Sequence, residues 1–340
     1  MKTKIIVSII VTLIVGFTAW RAWEAFSTKD SSETSEQQTE QFPTSSGILA
    51  SEESSKLRPI AVVIENHGDA RPQSGYTDAE IVYEILAEGG ITRTLGIFQV
   101  KDPESIGPVR SARPYFNFIA NQWGAVYVHA GGSKQALSEL SAQVQKNIFD
   151  INEFYFGKYF ERDSSRSAPH NLYTTISNLR ELLESKNEKD WTPTQIFQYG
   201  ELTVPENAQK VSTLTIPFSV PNYEAKFNYN TETKSYDRTI GGKEAKDRNN
   251  GARISPKNII VQFADTSLNP DDDLGTLNIK LNNSGPCIVF TANIRKDCRW
   301  SWENGRTKYA DTEGNAIVLQ AGQTWVEIFP RDRQNEVTSY

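Results

Sequence analysis

Three textures of apolar and polar positions succeed one another along the chain. The first is an unbroken apolar run, IIVSIIVTLIVGFTAW at residues 5–20, with Lys2 and Lys4 before it and Arg21, Trp23 and Phe26 after it. With its flanking aromatics this run is just long enough to cross a bilayer as a helix. The two lysines predict a cytoplasmic N-terminus, with everything after Arg21 outside. A cleaved signal peptide is the rival reading, but no good small-x-small cleavage site stands near the end of the run. The second texture, residues 27–57, is Ser, Thr, Glu and Gln with few apolar positions. Such a composition cannot bury enough surface to fold, so it reads as a disordered stalk.

The third texture begins at Arg58 and is globular. RPIAVVIEN predicts a short strand over residues 60–64 that ends in the polar group Glu65, Asn66 and His67. IVYEILAEGGITRTLGIFQV holds two β-rich runs about Gly89-Gly90, a hairpin signal. Thr77 and Glu80 form a capping box that also permits a helix over residues 78–87. In IGPVRSARPYFNFIA, Pro114 presets the φ of a first helical residue and disfavours helix at Arg113. A helix over residues 114–120 follows, with Tyr115, Phe118 and Ile119 on its buried face. AVYVHAGGSKQALSEL reads as strand, glycine turn and helix with Ser133 as N-cap, and ISNLRELLES as an amphipathic helix over residues 176–185. Strands alternating with helices give an α/β (or α+β) domain over residues 58–200. Beyond about Thr192 the β-type runs are separated by Gly, Asn, Asp and Pro with no long amphipathic helix. They predict a mostly antiparallel β domain over residues 210–335, a sandwich or barrel. The fold class is therefore an α/β domain followed by a β-rich domain, behind a transmembrane helix within residues 1–26.

Composition changes this picture little. A chain of 340 residues with 38% hydrophobic content supports two domains with real cores, and a net charge of −6 without a long Lys/Arg run argues against nucleic acid as partner. Both cysteines, Cys287 and Cys298, flank IVFTANIRKD. If that hairpin turns at Ala292-Asn293 they lie directly opposite, which outside the membrane favours a cross-strand disulfide over two buried thiols. No cysteine precedes Cys287, so a lipidated N-terminal cysteine is excluded.

Candidate chemistry gathers at predicted strand ends, where α/β sheets place ligands. Arg110 and Arg113 stand at the positive end of a helix dipole, a place for anions and not for cations. Either an external anion or the protein's own carboxylates must answer them. A two-residue turn at Gly89-Gly90 sets Leu86 opposite Arg93 and puts Glu84, Glu88 and Arg93 on one face, as internal partners. The turn His129-Ala130-Gly131-Gly132-Ser133 offers a helix N-terminus to an anion. Glu84 or Glu88 beside His129 would make an acid/base pair. No nucleophile elbow, Walker loop or zinc motif is present, and no cofactor is implied. The three histidines, His67, His129 and His170, match no local ligand spacing, so no metal is expected.

ARPQSGYTDAEIVYEILAEGGITRTLGIFQ, IGPVRSARPYF, VHAGGS and SRSAPHNLYTT resemble the N-terminal module of the YerB-like family of bacterial cell-envelope proteins. NYNTETKSYDR, KNIIVQF and TKYADTEGNAIVLQAGQTWVEIFP resemble its C-terminal module. The resemblance covers residues 58–330 and implies a tether outside the membrane, often through a lipobox cysteine that this chain lacks. The family is one of unknown function. Matching its motifs implies one shared site made of Arg71, Gln73, Glu84, Glu88, Arg93, Arg110, Ser111, Arg113, His129, Gly131, His170 and Asn171. Three functions remain open at this point. The first is a membrane-anchored binding protein that holds an anionic group of a wall polymer or a partner protein. The second is an envelope hydrolase or transferase using Glu84 or Glu88 with His129, and the third is a non-catalytic scaffold.

Overall fold

The computed structural model describes residues 41–340 apart from 189–190, 192–193, 203, 205–207 and 273–274. The expected transmembrane segment and residues 27–40 of the expected stalk lie outside the described residues. Among the described residues no helix is long and apolar enough to cross a membrane.

The first half of the chain gives five strands to the main sheet: β1 (Ile60–Glu65), β2 (Ile81–Leu86), β3 (Thr92–Phe98), β4 (Val126–His129) and β5 (Phe149–Asn152). The second half adds β6 (Thr213–Pro217), β7 (Glu224–Asn230), β8 (Ser235–Ile240), β9 (Asn258–Ala264), β10 (Ser284–Thr291), β11 (Ile294–Glu303), β12 (Arg306–Asp311) and β13 (Thr324–Pro330). One ten-stranded mixed sheet runs β12-β11-β10-β9-β13-β2-β3-β1-β4-β5. Its centre is the parallel pair β13–β2, where the two halves of the chain meet with Val326 beside Tyr83 and Glu327 beside Glu84. The C-terminal strands are mostly antiparallel, as their composition predicts, but they do not close on themselves. Five of them extend the N-terminal sheet, and β6, β7 and β8 belong to a separate five-stranded sheet.

Alternation along the central strands explains both faces. Ile60, Val62, Ile64 and Val82 point to one side, where Leu179 and Leu182 of helix α3 (Ile176–Lys186) and Leu214, Ile216 and Phe227 of the five-stranded sheet cover them. Ala61, Val63, Tyr83, Leu95 and Ile97 point to the other, under Tyr115, Phe116 and Ile119 of helix α1 (Pro114–Gln122). Both strand sets are buried throughout, so they read as near-continuous apolar runs. Helix α1 starts where Pro114 requires, with Arg113 extended at its N-cap (φ −138°, ψ 153°). Phe118 is only half-buried and packs on Trp302, with ring centroids 4.3 Å apart. Helix α2 (Lys134–Ser141) is capped by Ser133, whose side chain accepts from the Ala136 N–H. Residues 78–87 form no helix: Glu80 instead accepts the backbone N–H groups of Gln99 and Val100 at 2.8 and 2.9 Å.

Two sequence expectations are corrected. Residues 41–57, assigned above to the stalk, are ordered and docked. The Ser45 N–H donates to Oε1 of Gln99 at 2.9 Å, Nε2 of Gln99 donates to the carbonyls of Ser55 and Leu57, and the Tyr199 hydroxyl donates to the Ser45 carbonyl. Hydrogen bonds hold this segment in place of an apolar face, which is why composition reads it as unfolded. The second correction is the β2–β3 register. The connection is a turn of Glu88, Gly89 and Gly90, with both glycines left-handed (φ 68° and 72°), closed by the Ala87 N–H on the Ile91 carbonyl at 2.7 Å. Leu86 therefore faces Thr92 and Ile85 faces Arg93. Side chains alternate, so a slip of one residue places Glu84 and Arg93 on opposite faces of the sheet.

Candidate functional site

The slip divides the charged residues into two networks, one on each face. On the α1 face, β1 and β3 set Glu65 directly opposite Arg93. The segment before α1 runs across this end of the sheet, with the Arg110 N–H on the Val63 carbonyl at 2.9 Å, and so brings its arginines to the same place. Arg110 pairs through Nε with Oε2 of Glu65. Arg113 grips Glu88 with two donors, Nε to Oε2 at 3.0 Å and Nη2 to Oε1, and gives Nη1 to the Ala112 carbonyl. Nη2 of Arg93 also reaches Oε1 of Glu88, at 3.1 Å. Burial pushes the Glu88 carboxyl up, but the guanidinium groups of Arg93 and Arg113 outweigh it and hold Glu88 at about 2. A carboxylate held so low is not a proton donor or acceptor near neutral pH.

Two histidines complete this end. Nδ1 of His170 is 3.6 Å from Oε2 of Glu65, and its ring stacks on that of His67 with centroids 5.0 Å apart and planes 11° apart. The cluster meets solvent at Arg110, 24% exposed, and at Glu88, 22% exposed.

On the other face Glu84 is wholly buried. It accepts from Nδ2 of Asn66 at 2.9 Å, from the Thr92 hydroxyl at 2.6 Å and from Nη2 of Arg238. Arg238 lies over Trp325, 4.5 Å from the ring centroid. Glu327, also fully buried, is the register partner of Glu84. No donor among the described residues reaches either of its oxygens. Burial first, and then the neighbouring Glu84 charge, raise its carboxyl well above the ordinary range and so favour the neutral acid in the fold. Asn66 ties the faces together: its Oδ1 accepts from Nε of Arg71 at 3.1 Å and from Nε2 of Gln73 at 2.8 Å, while Gln73 also donates to the Glu65 carbonyl. Arg71 continues outward to the Asn222 carbonyl at 2.8 Å.

Of the twelve residues expected in one site, Glu88, Arg93, Arg110, Arg113 and His170 gather on the α1 face. Glu84, Arg71 and Gln73 belong to the network reached through Asn66. Ser111 is half-buried between Arg110 and Ala112. His129 stands apart from Glu84 and Glu88: it is fully buried, with Nδ1 at 2.7 Å from the Gly131 carbonyl and Nε2 at 2.6 Å from Oδ1 of Asp150. Both ring nitrogens are thus engaged in holding the turn. Gly131 gives its N–H to Oδ1 of Asn152, so the turn's free donor is already answered from within. Asn171 donates to the Asp163 and Arg166 carbonyls and orders the loop that carries His170. Sequence reading missed Arg238 and Glu327; a lone Glu inside the apolar run WVEIF was the available signal. The hairpin turn does fall at Ala292-Asn293, both left-handed, and Cys287 is joined to Cys298 by a disulfide.

Residues 45–190 match the N-terminal domain, and residues 214–326 the C-terminal domain, of a family described as protein of unknown function (DUF3048). Over 287 residues the chain is 32% identical to "Putative lipoprotein YerB" of Bacillus subtilis (strain 168), spanning 84% of this chain and 85% of that protein. The crystal structure of YerB protein from Bacillus subtilis is similar at a TM-score of 0.78 and 30% identity, covering 88% of this chain and 99% of that one. The chain belongs to the YerB family and carries both of its DUF3048 domains.

Proposed function

We propose that this chain is an extracytoplasmic protein of the bacterial cell envelope that binds an anionic group of a wall polymer, a carboxylate or a phosphate, at the Arg110 edge of the strand-end cluster. The envelope location draws on the relative's name as a lipoprotein. The apolar run at residues 5–20 is the tether in this reading.

One observation carries the binding assignment. Among the described residues, three guanidinium groups, those of Arg93, Arg110 and Arg113, share two carboxylates, Glu65 and Glu88, and Nε and Nη1 of Arg93 are buried with no acceptor. The cluster therefore holds a surplus of positive charge and of N–H donors, and Arg110 brings that surplus to solvent. An arriving carboxylate or phosphate would meet a preformed, partly desolvated arginine fork. The acid/base alternative loses support from the same geometry, because Glu88 is held at about 2 and His129 is buried elsewhere.

Arg110→Gln tests the assignment, since glutamine keeps a donor for Glu65 while removing the charge. Full-length chain in detergent is melted with and without pyrophosphate and with soluble wall fragments. The wild type should gain stability in a salt-sensitive manner and Arg110→Gln should not. An equal gain in both, or none in either, overturns the assignment.

A further inference from the structure

We infer that His67, Asp69 and His170 form a site for a single divalent transition-metal ion. Sequence spacing argues against it, since His67 and His170 are separated by most of the first half of the chain. The fold brings one ligand atom from each of the three residues to within 4.8 Å of the others. Nδ1 of His67 is 3.5 Å from Oδ2 of Asp69 and accepts the Asp69 N–H at 3.3 Å, a bond that an ion held at Nδ1 replaces. Two ligands about 2.0–2.2 Å from a tetrahedral zinc ion stand roughly 3.4 Å apart, so this pair already has the required spacing. Closing the third ligand in from at most 4.8 Å to about 3.4 Å demands a movement of up to about 1.4 Å.

Two further observations favour an ion over a simple stacked pair. His170 Nδ1 is buried with no hydrogen-bond partner among the described residues, yet Oε2 of Glu65 lies 3.6 Å from it. A carboxylate behind an imidazole is the arrangement that orients a metal-binding histidine and raises its basicity, leaving Nε2 as the ligand. The side chains of His67 and Asp69 are 41% and 78% exposed, so an ion can enter from solvent without unfolding. Two imidazoles and a carboxylate suit zinc, cobalt or nickel better than magnesium or calcium, which take oxygen ligands. Asp69 contributes one negative charge toward the dication, while Glu65, which also pairs with Arg110, stands behind His170. A three-ligand set leaves a fourth position for water or an anionic ligand atom. The two readings share Glu65 but not their binding atoms, because none of the metal ligands is an arginine of that cluster.

The test uses full-length chain purified in detergent without a polyhistidine tag and stripped with a chelator. Co2+ is titrated by absorption and Zn2+ by calorimetry. One ion per chain is expected, with the visible bands of low-symmetry cobalt. His67→Asn keeps an acceptor for the Asp69 N–H, and Asp69→Asn changes an exposed side chain, so both variants should melt like the wild type when stripped. Each should lower metal affinity by about tenfold or more, and His170→Gln should act in the same direction. Absence of binding in the wild type, or equal affinity in wild type and in His67→Asn and Asp69→Asn, overturns the inference.

Discussion

Glu327→Gln probes the centre of the sheet, where the two halves of the chain are joined. Parallel pairing of β13 with β2 sets Glu327 beside Glu84 with both side chains at 0% exposure. Arg238 supplies its charge to Glu84, and among the described residues no cation pairs with Glu327. Burial and the adjacent carboxylate lift Glu327 well above its ordinary 4.5, so the fold keeps it protonated while the unfolded chain ionises. A folded value raised above the unfolded one fixes the sign: the contribution is fully present below the unfolded value and is lost as pH rises toward the folded one. The loss proceeds at about 1.4 kcal/mol per pH unit. Glutamine is neutral in both states and has no such slope. Urea unfolding at about pH 5 and about pH 6, at matched ionic strength, should show the variant gaining roughly 1 kcal/mol on the wild type over that interval. Parallel pH profiles would mean that Glu327 is already ionised in the fold and would refute the reasoning.

At acid pH the sign reverses for Glu88. Arg93 and Arg113 hold its carboxyl at about 2 against an ordinary 4.5, so its contribution is present above 4.5 and lost as pH falls through 2. That gap corresponds to roughly 3 kcal/mol. Glu88→Gln should therefore be less stable than wild type by up to that amount near neutral pH, and the two acid-unfolding profiles should converge near pH 2; profiles that stay parallel would remove the ion pairs from the stability account. In the C-terminal hairpin, Cys287 and Cys298 close a loop of sequence separation 11. Chain entropy sets the bridge at about 2–3 kcal/mol, so a Cys287→Ser, Cys298→Ser chain should melt lower by roughly 4–8 °C, with no further drop on adding reductant. An unchanged melting temperature would mean that the hairpin is held by its packing alone.

Features governed by short-range rules were legible in the sequence. Pro114 fixed the start of α1, Ser133 capped α2, and counting back from a turn at Ala292-Asn293 paired the cysteines. Glu88 and Arg93 were legible as internal partners for the arginines before α1, whereas the place of His170 was implied only by the family resemblance. What escaped was set at long range or by a single extra turn residue. Arg238 and Glu327 meet Glu84 only because β13 joins β2, and no local pattern announces a strand pairing across the whole chain. Residues 41–57 escaped because hydrogen bonds to Gln99 and from Tyr199, and no apolar stripe, hold them down.

The β2–β3 turn carries the largest consequence of these. With Gly89-Gly90 alone as the turn, Glu84 and Arg93 would have shared a face, and one mixed cluster would have answered both arginines before α1. Glu88 enters the turn instead, and a parity change follows along the whole hairpin. Glu84 is carried to the face of Arg238 and Trp325, out of reach of Arg93. Arg93 is left opposite Glu65, sharing Glu88 with Arg113. The α1 face thus loses one carboxylate, and that loss leaves its positive surplus at the solvent edge. On the opposite face the gained carboxylate meets Glu327 with a single arginine between them, so one acid must keep its proton. The surplus charge on one side of the sheet and the retained proton on the other are two results of the same one-residue displacement.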